Sequence, residues 1–132
     1  MKIAICDDEI EICRQIKEFT ERLEADCRIV LYASGEELLA AADSFDIIFL
    51  DIQMGGMDGI AAARAIRRRN ADAVLIFITG IRDAVFEAFD VSAFHYLLKP
   101  VNEEKFGEVF RRAEAAIRRR RGQSPLVVRT GG

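Results

Sequence analysis

The chain has 132 residues, room for one domain with a real core and too few for two full ones. Hydrophobic residues make up 51% and charged residues 31%, which excludes a disordered chain. A net charge of −3 gives no global field for nucleic acid or an anionic membrane. The apolar opening stops at Asp7, too early for a signal peptide, and no apolar run nears the roughly 20 residues that span a bilayer. The chain therefore reads as cytoplasmic, with no membrane partner. Cys6, Cys13 and Cys27 are odd in number and lack metal-ligand spacing, and Cys6 and Cys13 read as buried free thiols.

In chain order, residues 2–6 read as a short buried strand. A helix over about 9–25 follows, with Ile12, Ile16, Phe19 and Leu23 on its inner stripe. Residues 28–33 form a second strand. Ser34 then caps a short helix to about residue 43, and Glu37, three residues on, completes a capping-box pattern. Residues 46–50 (Asp-Ile-Ile-Phe-Leu) form a third strand that runs into Asp51. Asp58 caps a helix over about 59–69 whose inner face is Ile60, Ala63 and Ile66.

The fourth strand covers 74–79 and ends at Thr79. A short helix over about 83–91 carries Val85, Phe86 and Phe89, and Phe86, Phe89 and Phe94 belong to the core or to an interface, with the core favoured. The fifth strand covers 94–98 and is stopped by Lys99-Pro100, because proline cannot donate to a central ladder. Asn102 caps a last helix to about residue 120, with Phe106, Val109, Phe110, Ala113 and Ile117 inside. Arg118 to Arg121 read as a solvated helix end favoured by the macrodipole, and His95 as a structural residue.

Five strand–helix units with short connections imply an α/β fold with a parallel sheet. Covering both faces requires the winding to reverse once, and the flavodoxin-like order 2-1-3-4-5 places that reversal between strands one and three. Asp7, Asp8 and Asp51 then converge at the carboxyl edge. At about 5 Å and an effective dielectric near 20, each carboxylate pair costs on the order of 3 kcal/mol. Such a site must protonate, stay open to water or hold a cation. Hard oxygen ligands, few in number, suit Mg²⁺, with the backbone carbonyl of Gln53 a further candidate ligand. Thr79 and Lys99 add a hydroxyl and an ammonium to the same edge. Together these groups suit phosphoryl transfer, with a carboxylate as the attacking group. No Gly-x-x-x-x-Gly-Lys loop is present, which argues against free ATP as the donor.

Asp7-Asp8, Asp51, Met57-Asp58-Gly59, Thr79 and Tyr96-Leu97-Leu98-Lys99-Pro100, in this order over about 120 residues, resemble the receiver domains of two-component response regulators. The resemblance implies a switch that takes a phosphoryl group on Asp51 from a sensor histidine kinase. Mg²⁺ would sit on Asp8, Asp51 and the Gln53 carbonyl, with Asp7 acting on it partly through water. Lys99 would pair with the phosphoryl oxygens, Thr79 would bond to one of them, and Tyr96 would turn inward as the second switch residue. It also implies a cis peptide at Lys99-Pro100, a signalling surface over about residues 83–120, and a homodimer on activation. Such a protein catalyses its own phosphorylation and dephosphorylation and turns over no external substrate.

Residues 51–54, 65–67, 76–79 and 96–100 are most similar to receivers joined to LytTR-type DNA-binding domains. The receiver would cover residues 1–121. Residues 122–132 would be a linker followed by a frayed tail or, as favoured, by the start of a truncated C-terminal domain, through which alone DNA would be bound. Gly55 stands where many receivers have proline, and Gly80 where alanine or serine is commoner, so both loops are expected to be more flexible. In receivers the residues at Gln53 and Ile81 flank the path of the hydrolysing water, so the resemblance implies that Ile81 hinders that water and gives a long-lived phosphorylated state. A phosphatase of the haloacid dehalogenase type would want Asp-x-Asp after strand one, where Asp7-Asp8-Glu9 stands. A flavin module would want a Ser/Thr/Gly-rich loop there.

Overall fold

The computed structural model describes residues 1–41, 44–70 and 72–121. Ten elements alternate: β1 (Lys2–Cys6), α1 (Ile10–Leu23), β2 (Arg28–Tyr32), α2 (Gly35–Ala40), β3 (Ile47–Leu50), α3 (Gly59–Arg69), β4 (Val74–Thr79), α4 (Val85–Asp90), β5 (His95–Leu98) and α5 (Glu103–Arg120). The strands form one parallel sheet in the order β2-β1-β3-β4-β5. Strands β3 and β4 are buried along their whole length, as expected for strands covered on both faces. Several ends lie a residue or two inside the expected bounds, where the last hydrogen bonds are lost. The expected linker over 122–132 lies outside the described residues.

Alternation along the strands divides the core into two layers. On one face Ile3, Ile5, Ile47, Phe49, Val74, Ile76 and Leu97 meet Ile16 and Phe19 of α1 and Phe106, Val109, Phe110 and Ile117 of α5. On the other, Ala4, Cys6, Ile48, Leu50, Leu75 and Phe77 meet α2, α3 and α4. Winding thus reverses between the two halves, which puts the crevice over β1 and β3.

Three helix starts follow the expected chemistry. Ser34 Oγ accepts from the Glu37 amide at 3.1 Å, Asp58 Oδ1 from Ala61 at 2.8 Å, and Asn102 Oδ1 from Lys105 at 2.9 Å. The Glu37 carboxylate reaches back one residue further than a standard capping box, to the Ala33 amide at 3.1 Å. The α5 stripe is buried as expected, and Glu114 joins it at 2% exposure, its Oε1 accepting from Arg111 at 2.6 Å.

One expectation is corrected. Phe86 and Phe89 are 83% and 81% exposed, not core. Helix α4 turns Ala88 toward the sheet, flanked by buried Ala84 and Val91, so the smaller residues take the inner face. Phe94 is half-buried against the α1/α5 layer. Arg118 to Arg121 are exposed, as expected for a solvated helix end, and two of them also make contacts: Arg120 donates to the Asp72 carbonyl, and Arg121 pairs with Asp46 at 2.6 Å. Both tie the end of α5 to loops at the amino edge of the sheet.

Candidate functional site

Each acid of the site is set by the end of a strand. Asp7 follows β1, its amide bonded to the Tyr32 carbonyl at 3.0 Å, and Asp51 follows β3, its amide bonded to the Cys6 carbonyl at 3.0 Å. Both are 3% exposed, whereas Asp8 is exposed. One oxygen from each of Asp7, Asp8 and Asp51 falls within 4.8 Å of the others. Ligand oxygens about 2.1 Å from an octahedral Mg²⁺ stand roughly 3–4.2 Å apart, so small side-chain movements suffice and the donor set fits that cation.

Lys99 leaves β5 and turns its ammonium into this cluster. Its Nζ lies 2.9 Å from Asp7 Oδ2, 2.9 Å from Glu9 Oε1 and 3.1 Å from Asp51 Oδ2. Burial alone would lower the Lys99 pKa. Its bonds to Glu9, Asp7 and Asp51 outweigh burial and hold it above the ordinary lysine range. Burial pushes the Asp7 carboxyl up, assisted by the Asp51 charge and opposed by the Glu9 amide and Lys99. Three carboxylates thus share one ammonium with Asp8 beside them, and the surplus negative charge is what a divalent cation would neutralise. The Lys99-Pro100 peptide is cis, as the resemblance implied.

The remaining expected residues border the cluster. Gln53 is exposed, and its amide donates to Asp51 Oδ1 at 3.3 Å. Thr79 is fully buried, accepts from the Ile81 amide at 3.4 Å, and its carbonyl accepts the Lys99 amide at 2.9 Å. Tyr96 is half-buried, packs on Phe77 at 6.2 Å between ring centroids, and donates its hydroxyl to the Ile81 carbonyl. Its ring is therefore tied to the loop that follows Thr79. His95 accepts the Tyr96 amide at 2.9 Å. Burial, with the Lys105 and Arg112 charges, holds its pKa below the usual value. Cys6 and Cys13 are buried, and burial pushes their thiols up to about 12 and about 11, so neither is a thiolate at neutral pH.

Three further residues, to which the sequence reading gave no role in the site, contribute to it. Glu9 shares Lys99 with the two buried acids. Gly59 sits against the Asp51 backbone: its amide donates to the Ile52 carbonyl at 2.8 Å, and a Cβ there would overlap the Asp51 carbonyl oxygen and lie 2.7 Å from Ile52 Cα. Only glycine lets α3 start this close to the acid. Arg67 donates to the carbonyls of Ala73, Val91 and Ser92 at 2.7–3.0 Å, clamping the end of α4 to α3 and to the entry of β4.

A model of the response regulator receiver domain matches residues 3–111. The chain belongs to that family. The receiver is 37% identical over 116 residues to the positive alginate biosynthesis regulatory protein of Pseudomonas aeruginosa, covering 86% of this chain and 47% of that protein. It is 33% identical over 132 residues to the sensory transduction protein LytT of Oceanobacillus iheyensis, covering 95% and 52%. These relatives agree with the LytTR-type resemblance. The chain spans about half the length of the curated relatives it matches. Among solved structures, the response regulator TrrA of Thermotoga maritima in complex with Mg²⁺-BeF is 28% identical with a TM-score of 0.73, covering 85% of this chain and 97% of that one. The receiver is thus the signalling switch module of a two-component system, and no helix among its described residues is long and apolar enough to cross a membrane.

Proposed function

We propose that Asp51 is the phosphoryl acceptor and that its donor is the phosphohistidine of a sensor histidine kinase. The observation that carries this reading is the Lys99 ammonium 3.1 Å from Asp51 Oδ2, with Asp7 and Asp8 in the same crevice. The Asp51 carboxylate attacks phosphorus as the phosphorus–nitrogen bond breaks, and the imidazole departs. Lys99 then exchanges its carboxylate partners for a phosphoryl oxygen. Asp7, Asp8, Asp51 and the Gln53 carbonyl would hold Mg²⁺, which when bound stabilises charge on the transferring group. Hydrolysis of the acyl phosphate takes place at the same residues, so the domain catalyses both halves of its own cycle without an external substrate.

The switch runs through the loop after β4. Thr79 would turn its hydroxyl from the Ile81 amide toward a phosphoryl oxygen. The loop moves with it, and Tyr96, tied to the Ile81 carbonyl, moves inward. Ile81, beside the path of the hydrolysing water, would shield the acyl phosphate and lengthen its lifetime. The output surface is α4, β5 and α5, and the exposed Phe86 and Phe89 support a homodimer formed there on activation. Relatives about twice as long support a second, LytTR-type domain beginning after residue 122, which would bind DNA.

A small phosphodonor with Mg²⁺ tests the core of this reading against the variant Asp51→Asn. The wild-type chain should gain one acid-labile phosphoryl group and the variant none. Equal labelling of both, or turnover of many equivalents, would remove Asp51 from its role. Decay of the labelled form within seconds in Mg²⁺ would remove Ile81 as a shield.

A further inference from the structure

Asp8 differs from its two partners. Lys99 pairs with Asp7 and Asp51, but among the described residues no lysine or arginine lies within ion-pair distance of Asp8. Asp8 is also exposed, so burial does not fix its rotamer. What it does have is a backbone donor: the Gly55 amide bonds to Asp8 Oδ2 at 3.3 Å. The segment carrying that donor is held from its other end. The Met57 amide donates to Glu36 Oε2 at 3.1 Å, and between them Gly56 adopts φ +77°, where a Cβ would stand 2.8 Å from the same Glu36 oxygen. Residues 54–57 are therefore strung between two carboxylates, one in the crevice and one on α2.

We infer that the Gly55 amide is a positioning donor for Asp8. It occupies one carboxylate oxygen and leaves the other aimed into the crevice for a divalent cation. Outer-shell bonds of this kind orient a ligating carboxylate before the metal arrives, and losing them weakens metal binding. The inference rests on the Mg²⁺ reading of the site.

Gly55 can be probed cleanly because no atom lies within 4 Å of a Cβ built there and its φ is not positive. Gly55→Ala keeps the amide proton, and Gly55→Pro removes it. Mg²⁺ titrations of the whole chain, followed by amide ¹H–¹⁵N shifts, should give wild type and Gly55→Ala the same Kd within about twofold. Gly55→Pro should bind about three- to tenfold more weakly while melting no lower than wild type. A proline variant that binds as tightly as wild type overturns the inference, as does an alanine variant weakened to the same degree. Should the proline variant misfold, the wild-type Gly55 amide decides: protection from exchange that persists with Mg²⁺ bound supports the role, and its loss overturns it. A wild-type chain that binds no Mg²⁺ overturns the site reading itself, a result distinct from either variant's failure.

Discussion

Between α1, α5 and the sheet lie Phe19, Phe49, Phe106 and Phe110, packed ring to ring at 5.2–6.1 Å, whereas on the other face α3 packs through Ile60, Ala62, Ala63 and Ile66 and α4 through Ala88, flanked by Ala84. Helix α5 runs 18 residues and buries six of them, and α4 runs 6 and buries Ala88 alone. The first layer is fixed by interlocking bulk, so moving α5 would open cavities. The second holds α4 by little apolar area and by the Arg67 clamp, so α4 can shift at small cost. A signalling domain needs both, one layer to stay still and one to respond.

Truncation in the aromatic layer should be the most damaging change. Phe110 is fully buried, and Phe110→Ala should cost about 3–5 kcal/mol in chemical denaturation. A loss under about 1 kcal/mol would show the layer is not interlocked. Next comes the clamp. Arg67→Met keeps the aliphatic stem but removes the bonds to Ala73, Val91 and Ser92, for an expected loss of about 1–3 kcal/mol. Faster amide exchange should be concentrated at residues 84–93, and a uniform rise along the chain would make Arg67 an ordinary stability residue.

A smaller effect is expected from pH. His95 is held below the ordinary histidine pKa by burial and by Lys105 and Arg112, so below about pH 6.5 the unfolded chain binds more protons than the fold. Its contribution is intact above that value and is lost as pH falls through the lowered folded pKa. The melting temperature should therefore drift down between about pH 7 and about pH 5, and part of the drift should vanish in His95→Gln. An unchanged drift in the variant would assign it to other groups. Smallest of all, Phe86→Ser with Phe89→Ser should change monomer stability by no more than about 0.5 kcal/mol, given the rings' exposure. A loss above about 1 kcal/mol would mean the rings are packed in solution.

Strand ends were the most legible part of the sequence. Asp7, Asp51, Thr79 and Lys99 each stop an apolar run, and in a parallel sheet such positions share one edge, so order and spacing brought them together. Helix faces read less well where two apolar stripes compete. On α4 the bulk of Phe86 and Phe89 suggested an inner face, yet Ala84, Ala88 and Val91, at i, i+4 and i+7, form the stripe that fits close to the sheet. Arg67 lies seven residues after Ile60 and four after Ala63, on the buried edge of α3, a position at odds with a solvated arginine. Its role as a clamp depends on carbonyls more than 20 residues away in two of three cases, which no local pattern announces. Glu9 and Glu36 were hidden for the same reason: their partners lie across the fold.

The loop 54–57 shows the limit of reading glycine as slack. Two consecutive glycines implied a loose segment, but Gly55 supplies a donor and Gly56 a backbone turn, and each is used.

With no tryptophan in the sequence, Tyr32 and Tyr96 alone dominate its near-ultraviolet absorption and emission. Tyr32 gives its carbonyl to the Asp7 amide on one side of the crevice, and Tyr96 gives its hydroxyl to the Ile81 carbonyl on the other. The molecule thus carries a label-free optical reporter on each flank of its acid cluster, and Tyr96→Phe would silence one while leaving the other to be read alone.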